Sequence, residues 1–217
     1  MTFTAKDASR RTRDICALAP IVPVLVIEDV ADARPLAEAL IAGGLPALEV
    51  TLRTPAALDA IAVMAEVAGG HVGAGTLITP EDVRAAKRAG ATFGVSPGAT
   101  DALIAACEEE ELPLLAGAAT ATEAMRLLER GYDMLKFFPA EASGGAPALK
   151  AIGAPLPQIT FCPTGGVSPD NVESYLSLPN VLCAGGSWVA PKKLIDAQDW
   201  AGIEALARAA AQSGKAG

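Results

Sequence analysis

Ala47-Leu48-Glu49-Val50-Thr51-Leu52-Arg53 is a run of strand-forming residues, followed by the helix-forming segment Pro55–Ala68, the pair Gly69-Gly70 and a second short run, His71-Val72-Gly73-Ala74-Gly75-Thr76-Leu77. A strand, an alanine-rich amphipathic segment and another strand in succession make a βαβ unit, whose strands pair in parallel. The pattern continues outward in both directions. Upstream lie Ile21–Ile27 and the helical segment Ala31–Ala42. Downstream, Phe93–Pro97, Pro113–Gly117, Met134–Pro139, Gln158–Gly166 and Val181–Val189 read as strands, with Pro80–Ala89 and Asp101–Glu110 as helices. Eight strands is the number that closes a (β/α)8 TIM barrel, so the fold class is α/β. An extra N-terminal helix is expected around Lys6–Leu18 and a last helix around Trp200–Gln212. With no linker, charge block or low-complexity tract, residues 1–217 read as a single domain.

Local signals punctuate the helices. Thr54-Pro55, Thr79-Pro80 and Ser168-Pro169 each place a hydroxyl before a proline, the pairing expected of an N-cap and first helical residue. Thr120 and Glu123 have capping-box spacing. Gly43-Gly44, Gly69-Gly70, Gly90 and Gly131 fall where helices should end.

Composition narrows the function classes. The chain has 217 residues, 51% hydrophobic and 19% charged, with a net charge of −8. That balance suits a globular fold and argues against nucleic acid or anionic lipid as a partner. No apolar stretch is long enough for a membrane span, and no apolar region follows Arg10, Arg11 and Arg13 to make a secretory signal, so a cytoplasmic location is expected. Cys16, Cys107, Cys162 and Cys183 have no C-x-x-C spacing and read as small buried hydrophobes. With His71 as the one histidine, a multi-histidine metal site is not expected. His71 opens its strand, at the end of a barrel where residues serve stability.

The chemistry concentrates on two strands. Side chains alternate along a strand, so Leu48, Val50 and Leu52 share one face while Glu49, Thr51 and Arg53 share the other. With the apolar face against the outer helices, Glu49 and Arg53 are expected to point into the barrel. A structural ion pair is the competing reading. Lys136, in Met134-Leu135-Lys136-Phe137-Phe138-Pro139, is the one lysine inside a predicted strand. An ammonium among Met134 and Phe138, short of water, loses solvation, and a neutral amine attacks ketones to form imines. Lys136 as nucleophile, Glu49 as proton shuttle and Arg53 as carboxylate clamp would equip a class I aldolase acting on a 2-keto acid. The bland alternative is a lysine that only pairs with Glu49 or reaches out to the strand end.

The last two strands end in Pro163-Thr164-Gly165-Gly166-Val167-Ser168 and Gly185-Gly186-Ser187-Trp188. Glycine pairs let backbone N–H groups approach an anion, and barrels often bind phosphate after strands seven and eight. Turn geometry alone would also account for the glycines. Gly73-Ala74-Gly75-Thr76 leaves room at the barrel mouth, and Ser96-Pro97-Gly98 reads as a turn or a pocket wall.

These segments together resemble the KDPG (2-keto-3-deoxy-6-phosphogluconate) and 4-hydroxy-2-oxoglutarate aldolase family. The likeness rests on Leu48–Thr54, Val72–Thr76, Ser96–Gly98, Lys136–Glu141, Phe161–Gly166 and Gly185–Trp188. It implies a lyase without a cofactor or metal, with Lys136 forming the imine and Glu49 as acid and base. It implies that Arg53 and Thr76 hold the pyruvate end, that Pro97 and Phe138 line the pocket and that Thr164 lies near the substrate. Gly165, Gly166, Gly186 and Ser187 would hold the phosphate of a small phosphorylated 2-keto acid. A homotrimer and a place in the Entner–Doudoroff pathway are further implications. The rivals are a phosphogalactonate or hydroxy-oxoglutarate relative, another phosphate-binding barrel enzyme such as an isomerase or a thiamin-phosphate-type synthase, and a non-catalytic phosphosugar-binding barrel.

Overall fold

In the computed structural model, which describes residues 3–214, eight parallel strands form the expected ring. They are β1 (Ile21–Leu25), β2 (Ala47–Thr51), β3 (His71–Gly75), β4 (Phe93–Val95), β5 (Leu114–Ala118), β6 (Met134–Phe137), β7 (Thr160–Pro163) and β8 (Ala184–Gly186). Continuous pairing runs from β7 through β6, β5, β4, β3, β2 and β1 to β8. Two isolated bridges, Phe161 with Val181 and Thr164 with Gly185, join the remaining gap between β7 and β8. The helices are α1 (Ala5–Cys16), α2 (Ala33–Ala42), α3 (Ala57–Ala65), α4 (Pro80–Arg88), α5 (Asp101–Glu109), α6 (Ala121–Arg130), α7 (Gly145–Gly153), α8 (Val172–Leu176), α9 (Lys192–Asp196) and α10 (Trp200–Ala210).

Strand parity divides the core in two. Leu48, Val50, Val72, Ala74, Leu114, Ala116, Leu135, Phe137 and Phe161 belong to the larger cluster, which packs against the helices. Removing a side chain of this size from water is worth about 1.5–3 kcal/mol. Val22, Ala47, Phe93, Val95, Leu115, Met134 and Cys162 form the second cluster, with Cys16 and Cys183, and fill the ring. Ala47 and Met134 are therefore inward residues, and parity carries Glu49 and Lys136 inward with them.

The N-terminal helix forms the floor. A capping box between Thr4 and Asp7 starts α1, and Ala8, Ser9, Thr12 and Cys16 make its buried stripe. Ser9 Oγ accepts from the N–H groups of Asp133 (2.9 Å) and Met134 (3.0 Å) and donates to Asp133 Oδ1 (2.7 Å). Arg13 donates to Thr160 Oγ1 at 2.8 Å and to Asp133 O at 3.1 Å. These bonds pin α1 beneath the starts of β6 and β7.

Several local readings hold and two are corrected. Thr79 and Thr120 cap α4 and α6 through complete capping boxes. Gly131 ends α6 in the left-handed region at φ 110°. Thr54 does not cap a helix, because its hydroxyl donates to Ile27 O at 2.5 Å and α3 begins only at Ala57. Ser168 does not cap either. Its N–H donates to Asn171 Oδ1 at 2.8 Å in a turn, and α8 begins at Val172. The last two strands are shorter than expected. Gly165 (φ 100°) and Gly166 (φ 79°) turn the chain out of β7, and the Trp188 ring folds back over Gly186 after β8.

Candidate active site

Glu49 and Lys136 meet inside the ring, 87 residues apart in sequence. Lys136 Nζ lies 3.2 Å from Glu49 Oε1, with Glu49 2% and Lys136 5% exposed. A pair this deep leaves neither group solvated, so each depends on the other or on a bound molecule. The inward glycines make the space. A Cβ on Gly75 would stand 2.3 Å from Glu49 Oε1, so a side chain on β3 there would have to displace the carboxylate. Gly117, the register partner of Lys136 on β5, admits the backbone of the β4 turn: a Cβ there would stand 2.3 Å from Pro97 O. The Phe138 ring, its centroid 5.2 Å from Lys136 Nζ, covers the amine from the strand end.

Arg53 does not share the buried face. β2 ends at Thr51, and the chain turns there, so parity no longer governs Arg53. Arg53 is exposed at the rim, where its Nε donates to Thr51 Oγ1 at 3.2 Å. The Thr51 hydroxyl in turn donates to Leu25 O at 2.9 Å. Thr76 follows β3 at φ 64°, a conformation that costs a β-branched residue of order 1–3 kcal/mol and tends to persist where function demands it. Pro97 is exposed beyond β4, while Ser96 beneath it is fully buried and its Oγ has no partner among the described residues. His71 is exposed at the start of β3, away from this end.

Thr164 is 6% exposed, and its Oγ1 lies 3.9 Å from Cys162 Sγ. Cys162 is the register partner of Lys136 on β7. Its thiol is drawn below the usual value first by the neighbouring Cys183 thiol, with burial opposing and the Lys136 charge assisting. The neighbouring thiols of Cys16 and Cys162, with burial, push the Cys183 thiol up. All four cysteines are buried and free. Past Thr164, the N–H groups of Gly166, Val167 and Ser187 find no acceptor among the described residues, at strand ends joined by the Thr164–Gly185 bridge.

Sequence reading missed the steric role of Gly117 and the place of Cys162 beside the lysine. Both depend on the register between strands, which alternation within one strand does not give. Glu141, Asn171 and Tyr175, whose contacts surround the Gly165-Gly166 turn, carried no periodic signal.

An inward lysine beside a carboxylate, with unpaired N–H groups at neighbouring strand ends, defines a family when the sequence between them matches too. A family model described as KDPG and KHG aldolase matches residues 12–206. The chain belongs to the KDPG and KHG aldolase family. Among its relatives in that family, 2-dehydro-3-deoxy-phosphogluconate aldolase of Pseudoalteromonas atlantica is 52% identical over 200 residues, 92% of this chain and 93% of the relative. The crystal structure of the KDPG aldolase of Zymomonas mobilis ZM4 with 3-phosphoglycerate superposes at TM-score 0.90 and 50% identity, covering 94% of this chain and 96% of that one. KDPG aldolase from Legionella pneumophila, with pyruvate captured at low pH as a covalent carbinolamine intermediate, superposes at TM-score 0.89 and 47% identity, covering 92% and 97%.

Proposed function

We infer that this family member is a class I aldolase that cleaves 2-dehydro-3-deoxy-6-phosphogluconate to pyruvate and glyceraldehyde 3-phosphate. The observation that carries the reading is the buried Lys136–Glu49 contact at 3.2 Å. It is an amine within proton-transfer reach of a carboxylate, in a site closed to bulk water.

The Lys136 amine attacks C2 of the keto acid, and Glu49 passes a proton to the departing oxygen as water leaves. The protonated imine draws electrons from the C3–C4 bond. Glu49, through a bridging water, takes the C4 hydroxyl proton, and that bond breaks to release the phosphorylated aldehyde. Protonation of the enamine at C3 and hydrolysis of the imine return pyruvate and the free amine. Arg53 at the rim has its terminal nitrogens available to clamp the substrate carboxylate beside Thr76. Pro97 and Phe138 wall the pocket, Thr164 faces the substrate, and Gly165, Gly166, Gly186 and Ser187 hold the phosphate. Cleavage of 4-hydroxy-2-oxoglutarate to pyruvate and glyoxylate uses the same amine. A cytoplasmic homotrimer in the Entner–Doudoroff pathway is part of the same proposal, supported by the family resemblance.

Borohydride reduction in the presence of pyruvate should leave a mass adduct on Lys136, and Lys136→Ala should lose both the adduct and the activity in a lactate-dehydrogenase-coupled assay. Active protein without the adduct sinks the imine. Comparing rates on the gluconate and galactonate forms of the substrate decides between those two relatives.

A further inference from the structure

Glu141 lies in the turn that follows β6, against the Gly165-Gly166 turn. Its N–H donates to Gly165 O at 3.0 Å. Its stem presses on the next glycine, for a Cβ on Gly166 would stand 2.6 Å from Glu141 Cγ. The carboxylate is turned elsewhere: Glu141 Oε1 accepts a hydrogen bond from the Tyr175 hydroxyl on α8. Tyr175 is fully buried, and burial, then the Glu141 contact, push its O–H above the usual value, so it stays protonated and keeps donating. One turn of chain earlier, Asn171 Nδ2 donates to Gly166 O at 3.0 Å, and Asn171 Oδ1 accepts from Ser168 N–H at 2.8 Å. The segment around α8 thus fixes both the backbone of the glycine turn and the direction of the acid beside it.

The chemistry of that arrangement is specific. The Gly166 and Val167 N–H groups have no acceptor among the described residues. The stem of Glu141 packs on the Cβ side of Gly166, so its carboxylate charge is carried close beside the turn. Released from Tyr175, that charge is free to swing towards the turn and repel a dianion arriving there. We propose that Tyr175 and Glu141 form a latch that sets affinity for the substrate's phosphate, by holding the Glu141 carboxylate off the glycine turn. The latch rests on the reading of Gly165, Gly166 and Ser187 as the phosphate site. Tyr175 and Glu141 are positioning residues and touch no reacting atom.

The test compares wild type, Tyr175→Phe, Glu141→Gln and the double variant. Tyr175→Phe should raise KM for the phosphorylated substrate by about tenfold, as expected for a like charge brought near, with kcat within about twofold. Pyruvate carries no phosphate, so the pyruvate concentration that half-saturates borohydride trapping should not move. Adding Glu141→Gln should bring KM back towards wild type, because a neutral amide does not repel the dianion. Thermal melts of the single and double variants should fall alike, which separates the rescue from restored stability. Equal effects on pyruvate and on the phosphorylated substrate, an unchanged KM in Tyr175→Phe, or no rescue by the double variant would each overturn the latch. Ser187→Asp probes the layer beneath. If it leaves KM for the phosphorylated substrate unchanged, the phosphate reading fails and the latch with it. If it raises KM while Tyr175→Phe does not, the latch alone is wrong.

Discussion

Gly75 sits where β3 passes the Glu49 carboxylate, with no room for even a methyl group: a Cβ would stand 2.3 Å from Oε1. Gly75→Ala should therefore push Glu49 off Lys136 while leaving the outer core untouched. A displacement of about 1 Å costs roughly 10²-fold in rate, so kcat should fall by about that factor with a near-native melting curve. Steady-state kinetics beside calorimetry checks it, and an unimpaired kcat would mean that Glu49 needs no such placement. Glu49→Gln should lose about 10²–10⁴-fold in kcat, the usual worth of a positioned acid or base. At this scale the sequence told most about Lys136, since a lysine inside an apolar strand has few bland explanations. It told least about Arg53. Alternation is a property of extended backbone, and β2 has already turned when the chain reaches that residue. The contact between Glu141 and Tyr175 joins positions 34 apart on different elements, and no periodicity encodes it.

Helix caps show what one element contributes and how pH acts on it. Glu123 closes the capping box of α6, and its carboxylate is held below the usual value first by the Ala119 N–H and also by Thr120, against burial, which raises it. A folded-state value below the unfolded one stabilises the protein above the unfolded value, about pH 4.3 for glutamate. That contribution fades as pH falls through the lower folded value. The stability gap between wild type and Glu123→Gln should thus be open at neutral pH and close in acid, which denaturant melts across that range would read. A gap that is constant with pH would contradict the assigned cause. The Thr79 cap was legible from the hydroxyl before Pro80 and the Thr120 cap from its spacing to Glu123, and both carry an acid three residues on. Thr54 and Ser168 carried half of the same signal without an acid three residues on. A tertiary partner, Ile27 O, claims the Thr54 hydroxyl, while Ser168 sits in a local turn closed by its N–H on Asn171 Oδ1.

The whole molecule depends on how its ring is floored and closed. Ser9 is 1% exposed and satisfies the Asp133 and Met134 N–H groups that start β6. Ser9→Ala leaves both donors without their acceptor, which should cost about 1–3 kcal/mol of stability and leave KM unchanged, since the floor lies opposite the catalytic mouth. A loss far below that would show that α1 covers the barrel without supporting it. Eight strands and their order could be read from the alternation of short apolar runs and alanine-rich segments. The closed ring was expected from the count of eight, but the register that closes it, Ile21 against Ala184, was not, because no local pattern announces that pairing. Pairings that distant in sequence are slow to form and come late in folding. A nascent chain still inside the ribosome beyond residue 183 already contains the amine of Lys136 and the carboxylate of Glu49, yet it lacks Gly185, Gly186 and Ser187. On the proposed reading of those residues as the phosphate grip, a polypeptide not yet past them has its reactive groups but no finished lip for a phosphorylated sugar acid, and turnover is expected only once the ring is whole.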